Sequence, residues 1–225
     1  VKRQSGLLKP VLNNSNVLGN SLILPYYHVI SENSDITFSP TIFDNNIKLI
    51  QNEFRKVGKN YDLTTNFGHS RDYESTSLNK KQNTTYLFTN LDVDLNLENF
   101  NSSKMNFNFE KVTNDTFLKI FNSNLIENTT SLRPKNSDNL FSEIKLMFEK
   151  DSYNLTTGIQ SFENLQLKNS DRYQFILPYY DFNQNLFTNF EKGSMTFNSS
   201  GSNDLNETNK LKSRIINNFS FSSID

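Results

Sequence analysis

No cysteine occurs in the sequence, which excludes a disulfide framework and any cysteine–zinc site. The two histidines, His28 and His69, leave little for a histidine metal centre. Neither charge sign is in excess: the net charge is −1, with 21% charged residues, and this argues against a nucleic-acid partner. Tryptophan and alanine are absent, and there are only five prolines and seven glycines. No run of about 18 apolar residues exists, so no transmembrane helix is predicted. That leaves a transmembrane β-barrel open, because its alternating signal passes a hydropathy scan. The first residue is Val1 and no basic-then-apolar leader follows, which reads as a mature product or a fragment.

What the sequence does have is asparagine, at about one residue in six, together with 20 phenylalanines and nine tyrosines. Lysine outnumbers arginine, as a codon bias toward A and T would produce. The Asn-x-Ser/Thr matches follow from the same composition and are not read as glycosylation sites.

The dominant pattern is alternation with a period of two. Leu91, Val93, Leu95 and Leu97 interleave with Asp92, Asp94 and Asn96. Met105, Phe107 and Phe109 interleave with Asn106 and Asn108, and Ile144, Leu146 and Phe148 repeat the pattern. Tyr61, Leu63, Thr65 and Phe67 face away from Asp62, Thr64 and Asn66. Successive side chains of a strand point to opposite faces, so each segment carries one apolar and one polar face. Strands are predicted near residues 4–12, 19–29, 35–43, 47–57, 61–69, 84–97, 104–113, 140–150, 153–162, 173–182, 186–198 and 210–222. Helical spacing is scarce, and its best candidate is 117–126.

Short turns are predicted at 44–46, 58–60 and 150–152, and long polar connections at 70–83 and 114–139. Short turns on one side and long loops on the other describe an up-and-down barrel of the outer-membrane type. A soluble β-sandwich shows the same period of two. The pattern alone leaves both open. Without tryptophan, anchoring at a membrane interface falls to Tyr and Phe.

Residues 3–43 read RQSGLLKPVLNNSNVLGNSLILPYYHVISENSDITFSPTIF. Ser5, Gly6, Leu8 and Pro10, then Leu24, Pro25, Tyr26 and Tyr27, then Asn33, Asp35, Thr37 and Pro40 stand in the order and spacing of one family's motifs. Glu53-Phe54-Arg55 continues the match. The stretch resembles the start of the barrel in the LptD family of lipopolysaccharide-assembly outer-membrane proteins, also called organic solvent tolerance proteins. The sequence departs from the family at His28, usually tryptophan, at Leu7, usually phenylalanine, and at Ser31-Glu32, usually Ala-Pro. Residues 115–121, DTFLKIF, resemble a loop segment of the same family.

The resemblance implies an all-β, antiparallel, up-and-down transmembrane barrel in the cell outer membrane. This chain would be the N-terminal part of a larger barrel, without the periplasmic jelly roll and without the C-terminal strands. The implied function is insertion of lipopolysaccharide (LPS) into the outer leaflet, with no enzymatic step. The implied partners are LPS, the outer-membrane bilayer, a plug lipoprotein of the LptE kind and a periplasmic bridge protein of the LptA kind. No cofactor is implied. A general porin-like barrel and a soluble carbohydrate-binding sandwich are the alternatives.

A proline has no N–H to donate to a strand ladder. The resemblance places Pro10 and Pro25 in the first two strands, as breakers at a lateral gate between the first and last strands of the barrel. Pro40 reads as a residue at a strand edge or start, and Pro134 as a loop residue. The string ILPYY recurs at residues 176–180, where Pro178 reads as a chance recurrence at the start of a strand. Tyr26 and Tyr27 are expected on opposite faces. Asp92 and Asp94 share a face, but alternation explains them without metal or catalytic chemistry. No catalytic or metal-ligating set is expected.

Overall fold

A computed structural model describes residues 3–75, 80–125, 132–189, 193–206 and 210–223. It is almost wholly antiparallel β-structure. In chain order the strands are β1 (Gly6–Leu7), β2 (Val11–Ser15), β3 (Gly19–Ile23), β4 (Tyr26–Ser31), β5 (Ser34–Phe43), β6 (Lys48–Val57) and β7 (Tyr61–Ser75). There follow β8 (Lys80–Asp94), β9 (Ser102–Val112), β10 (Asn139–Lys150), β11 (Tyr153–Asn164), β12 (Tyr173–Asn189), β13 (Gly193–Asn206) and β14 (Lys210–Ser222). One short helix, α1 (Phe117–Ile120), precedes a 3-10 turn (Asn122–Asn124), and a second 3-10 turn (Asn169–Arg172) precedes β12. The strands form an open sheet in which β4 to β14 follow one another in sequence, as an up-and-down meander does. Among the described residues no helix is long and apolar enough to cross a membrane.

The chain divides into two compact units. The first comprises Val1–Leu91 with Phe109–Leu140, and the second Asp92–Asn108 with Phe141–Asp225.

On β5 as far as Ile42 and on β6 from Ile50 to Glu53, strands of the first unit, polar side chains are buried and large apolar ones are the more exposed. From Asp35 onward along β5 the buried side chains are Asp35, Thr37, Ser39, Thr41 and Phe43, while Phe38 and Ile42 are exposed, Ile42 at 57%. On β6, Gln51 and Glu53 are buried and Ile50 is exposed. A soluble sandwich buries its apolar face. Polar residues on the covered face and apolar residues on the open face are the arrangement of a sheet that meets lipid outside and water inside.

The covered face of this unit is closed at one end by the β9–β10 connection. Phe117, Leu118 and Phe121 are fully buried there, with Phe117 5.2 Å from Tyr86 and Phe121 5.9 Å from Tyr73, ring centre to ring centre. Asn124, also buried, donates to Ser21 Oγ at 2.6 Å and accepts from Gln51 Nε2 at 2.7 Å through its carbonyl. The helical spacing read at 117–126 therefore yields one turn of α-helix and one 3-10 turn, with residue 126 outside the described residues.

In the second unit a row of rings crosses the strands. Phe148, Phe100, Tyr153, Phe182, Phe197 and Phe219 follow one another with centre separations of 5.1, 6.4, 5.8, 6.2 and 4.7 Å. The row lies beside the short β10–β11 turn. Rings of phenylalanine and tyrosine thus supply an aromatic band in a chain without tryptophan.

Several sequence expectations are corrected. The expected strands 4–12 and 19–29 are each split, into β1 and β2 and into β3 and β4, with residues 8–10 and 24–25 outside strands. The expected connection 70–83 is largely strand, because β7 runs to Ser75 and β8 starts at Lys80. The expected strand 186–198 spans a change of strand, with β12 ending at Asn189 and β13 starting at Gly193, whose φ is +111°. Residues 70–83 carry only Tyr73 and Leu78 as apolar side chains, so the sequence there reads as a polar connection.

Candidate functional site

Pro10, Pro25 and Pro40 lie in a line across three neighbouring rows of backbone. β1 and β2 form the first row, β4 and β3 the second, and β5 the third. Leu7 pairs with Tyr26, and Val11 pairs with Ile23. Between those rungs three residues, 8–10, face two, 24–25, so Pro10 sits in an irregular step. Against β5 the second row keeps its register: Ile23 pairs with Thr41 and Tyr26 with Phe38. Leu24 therefore stands opposite Pro40 with no bulge to relieve it.

The hydrogen bonds at this line run one way. The Leu8 amide donates to the Pro25 carbonyl at 2.9 Å, and the Leu24 amide donates to the Pro40 carbonyl at 3.1 Å. In an antiparallel ladder each such pair would exchange two bonds. Pro25 and Pro40 have no N–H, so the Leu8 and Leu24 carbonyls get no bond in return. Pro40 is thus not a residue at a strand edge or start. It lies mid-strand in β5, paired with Ile50 of β6 on the other side, and its missing donor points at the break in the second row. A proline is tolerated there because the ladder to β6 does not use its N–H.

One end of the first row is fastened by a buried carboxylate. Asp35 is 1% exposed. Its Oδ2 accepts from Arg3 Nη1 at 2.9 Å and from the Tyr27 hydroxyl at 3.1 Å, and its Oδ1 accepts from Arg55 Nε at 2.9 Å. Glu53 stands 3.7 Å from Arg55 Nε. Ser5 Oγ accepts from the Val29 amide at 2.9 Å, next to this cluster. Arg3, Tyr27, Asp35 and Arg55 come from four successive rows, so the cluster ties the segment before β1 to β6. The other end of the row is held by the β2–β3 hairpin, where Leu18 is buried and its carbonyl accepts from Asn45 Nδ2 at 3.0 Å.

Tyr26 and Tyr27 point to opposite faces. Tyr27 joins Asp35, and Tyr26 lies exposed and stacked on His28, with 6.4 Å between ring centres. Gly6 pairs with Tyr27, yet a Cβ on Gly6 would meet nothing within 4 Å, and nothing in the structure explains a glycine there.

The second ILPYY is built differently. Pro178 is the sixth residue of β12, inside the strand and not at its start. Gly158 pairs with Tyr179 and Gln160 with Ile176, so Ile159 alone faces Leu177 and Pro178. On the other side Asn203 alone faces the same two residues, between the pairs Tyr179–Ser202 and Ile176–Asp204. The extra residue bulges out of both ladders at once, and the proline needs no donor. Tyr179 lies across Gly158, where a Cβ would fall 2.3 Å from the Ile144 carbonyl oxygen. Its hydroxyl donates to Glu143 Oε1 at 2.7 Å, as does Gln160 Nε2 at 2.7 Å.

The structure therefore brings Pro25 and Pro40 onto one pair of ladders, sets Pro10 beside them, and gathers Ser5, Tyr27 and Asp35 at one end. Sequence reasoning missed the roles of Arg3 and of Glu143. A buried carboxylate among the alternating Thr and Ser of β5 was the available signal for Asp35, but its partners lie 32 and 20 residues away.

An all-β, antiparallel meander that is open in this chain, polar on its covered face, is an incomplete sheet of barrel type. Comparison with known proteins finds several relatives of one name. One relative, LPS-assembly protein LptD of Nitrosospira multiformis, is 28% identical over 165 residues, 73% of this chain and 17% of the relative. Proteins of the same name from a Polaromonas species and from Albidiferax ferrireducens are 45% and 38% identical over 60 residues, 27% of this chain and 7% and 8% of theirs. No protein-family model matches the chain. These relatives support placing the chain in the LptD family, as the motifs of residues 3–43 do. The matched stretches span 17% or less of each of these relatives' length.

Proposed function

We propose that this chain forms the opening strands of a larger outer-membrane barrel that assembles LPS at the outer leaflet. The observation that carries the reading is the line of Pro10, Pro25 and Pro40 across the first three rows, in a sheet whose apolar face is the open one. In lipid an unpaired backbone group costs several kcal/mol, so a barrel wall is expected to pair fully. Missing bonds at one level are tolerable where the wall is meant to part. Each is worth roughly 0.5–1.5 kcal/mol net, so the two lost at Pro25 and Pro40 loosen the first three rows, beside the seam, by about 1–3 kcal/mol. That changes an open population by about 5- to 150-fold.

In this reading the first row and the last strand of the complete barrel form a lateral gate. The polar face of Asp35, Thr37, Ser39 and Glu53 lines a hydrophilic lumen for the sugar part of the lipid, and the acyl chains leave sideways into the membrane. A plug lipoprotein and a periplasmic bridge protein complete the route, by likeness to the family. The step is transport without covalent chemistry. A porin-like barrel has no use for aligned prolines in its early strands, and a soluble carbohydrate-binding sandwich would not expose Phe38, Ile42 and Ile50.

The test is Pro10→Thr with Pro25→Thr in the full-length protein. The expected result is a tighter seam, less surface LPS and an outer membrane leaky to large hydrophobic antibiotics. Unchanged permeability and unchanged surface LPS would sink the gate.

A further inference from the structure

The open face of β5, β6 and β7 carries a feature that transport through a lumen does not use. Ile42 pairs with Lys48, and Lys48 pairs with Arg71, so these three side chains share one rung of the open face. On the next rung Pro40 pairs with Ile50 and Ile50 with His69. One rung further on, Phe38 pairs with Asn52 and Asn52 with Phe67. Rungs on one face are about 7 Å apart along the strands. Lys48 is the first residue of β6, so the cations sit at the end of the strands and the apolar side chains lie deeper. A groove of about 540 Å³ runs along this surface, lined among others by Pro40, Ile42, Lys48, Ile50, His69 and Arg71.

Two cations directly opposite each other on neighbouring strands repel. Among the described residues no carboxylate pairs with Lys48 or Arg71. An anion between them would turn the repulsion into a shared charge-assisted contact. The apolar rungs behind them decide which anion: a free phosphate has no use for Pro40, Ile42 and Ile50, and a lipid tail does. The strand end in question is the one that also carries the long β9–β10 connection, the outer side in barrels of this type.

We propose that Lys48 and Arg71, with His69 beside them, bind the phosphate of an acylated, phosphorylated lipid of the outer leaflet, whose chain lies along Pro40, Ile42 and Ile50. The inference rests on the reading of this sheet as a membrane wall. Pro40 belongs both to this groove and to the proline line, so the bound lipid would lie against the third row of the gate.

The experiment places a benzophenone side chain at Ile42 of the full-length protein in vesicles. The probes are a phosphorylated, multiply acylated disaccharide and the same molecule without phosphate. The phosphorylated probe is expected to cross-link strongly. Lys48→Gln with Arg71→Gln lowers its yield about 25-fold, at about fivefold per cation. Lys48→Arg with Arg71→Lys keeps the yield. Labelling that is equal in the glutamine variant, or equal for the phosphate-free probe, overturns the cation site alone and leaves the gate reading intact. No labelling by either probe in the inserted protein overturns the lipid-facing assignment as well.

Discussion

The two copies of ILPYY meet the same problem, a proline without a donor in a β-ladder, and meet it in opposite ways. Around Pro178 the chain adds a residue, both neighbours keep their ladders, and β12 runs for 17 residues without a break. Around Pro25 no residue is added against β5, Pro40 stands on the next rung, and both the first and second rows break. A bulge absorbs one proline. Prolines aligned on adjacent rows cannot be absorbed in this way, and the ladder loses bonds. The difference lies in the neighbouring strands and not in the five letters.

The tyrosines extend the comparison. Tyr27 and Tyr179 each face a glycine across the ladder and each donates to a buried carboxylate, Asp35 or Glu143. Asp35 gathers two arginines, whereas Glu143 has Gln160 and Tyr179, with Lys145 at 3.7 Å. The first cluster fastens the end of a weakened row, and the second braces a bulged but continuous one.

Substitutions can separate the two regions. The largest effect is expected for Asp35→Ala in the full-length barrel, which strands two partly exposed arginines beside a buried site. A loss of about 2–3 kcal/mol in urea unfolding from vesicles is expected, and a loss no greater than that of an exposed carboxylate would remove the clasp. Next, Gly158→Ala drives a Cβ into the Ile144 carbonyl and costs about 1–3 kcal/mol, while Gly6→Ala, opposite the matching tyrosine, changes stability by less than about 0.5 kcal/mol. Equal costs at the two glycines would contradict the contrast. Pro25→Thr with Pro40→Thr supplies donors to the Leu8 and Leu24 carbonyls and is expected to stabilise by roughly 1–3 kcal/mol in total. The smallest effect is expected for Pro178→Thr, within about 0.5 kcal/mol, because its bulge leaves no carbonyl waiting for a donor.

Much of the sheet was legible because alternation and turn residues are local signals. The turns before Lys48, Tyr61 and Tyr153 and the paired faces of β9 and β10 followed from them. Alternation could not show which face is covered, since it is the same in a sandwich and in a barrel wall. Only the burial of Thr37 beside the exposure of Phe38 separates the two. The motifs of residues 3–43 located Pro10, Pro25 and Asp35, but not how they are arranged. The register that sets Pro40 opposite Leu24, or gives Pro178 a bulge on both sides, depends on partners about 16 to 25 residues away in sequence. The sequence of one strand alone shows neither arrangement, which is why Pro40 and Pro178 read as strand-end residues there.

The central claim is that the first rows are a built weak line, and amide hydrogen exchange on the full-length protein in lipid vesicles tests it most directly. The account predicts that the amides of Leu8 and Leu24 exchange faster than those of Leu155 and Phe182 in the continuous ladder. It also predicts that Pro25→Thr with Pro40→Thr slows Leu8 and Leu24 by about tenfold or more, the exchange equivalent of one or two restored bonds. Equal exchange in the two regions, unmoved by the double substitution, would contradict it.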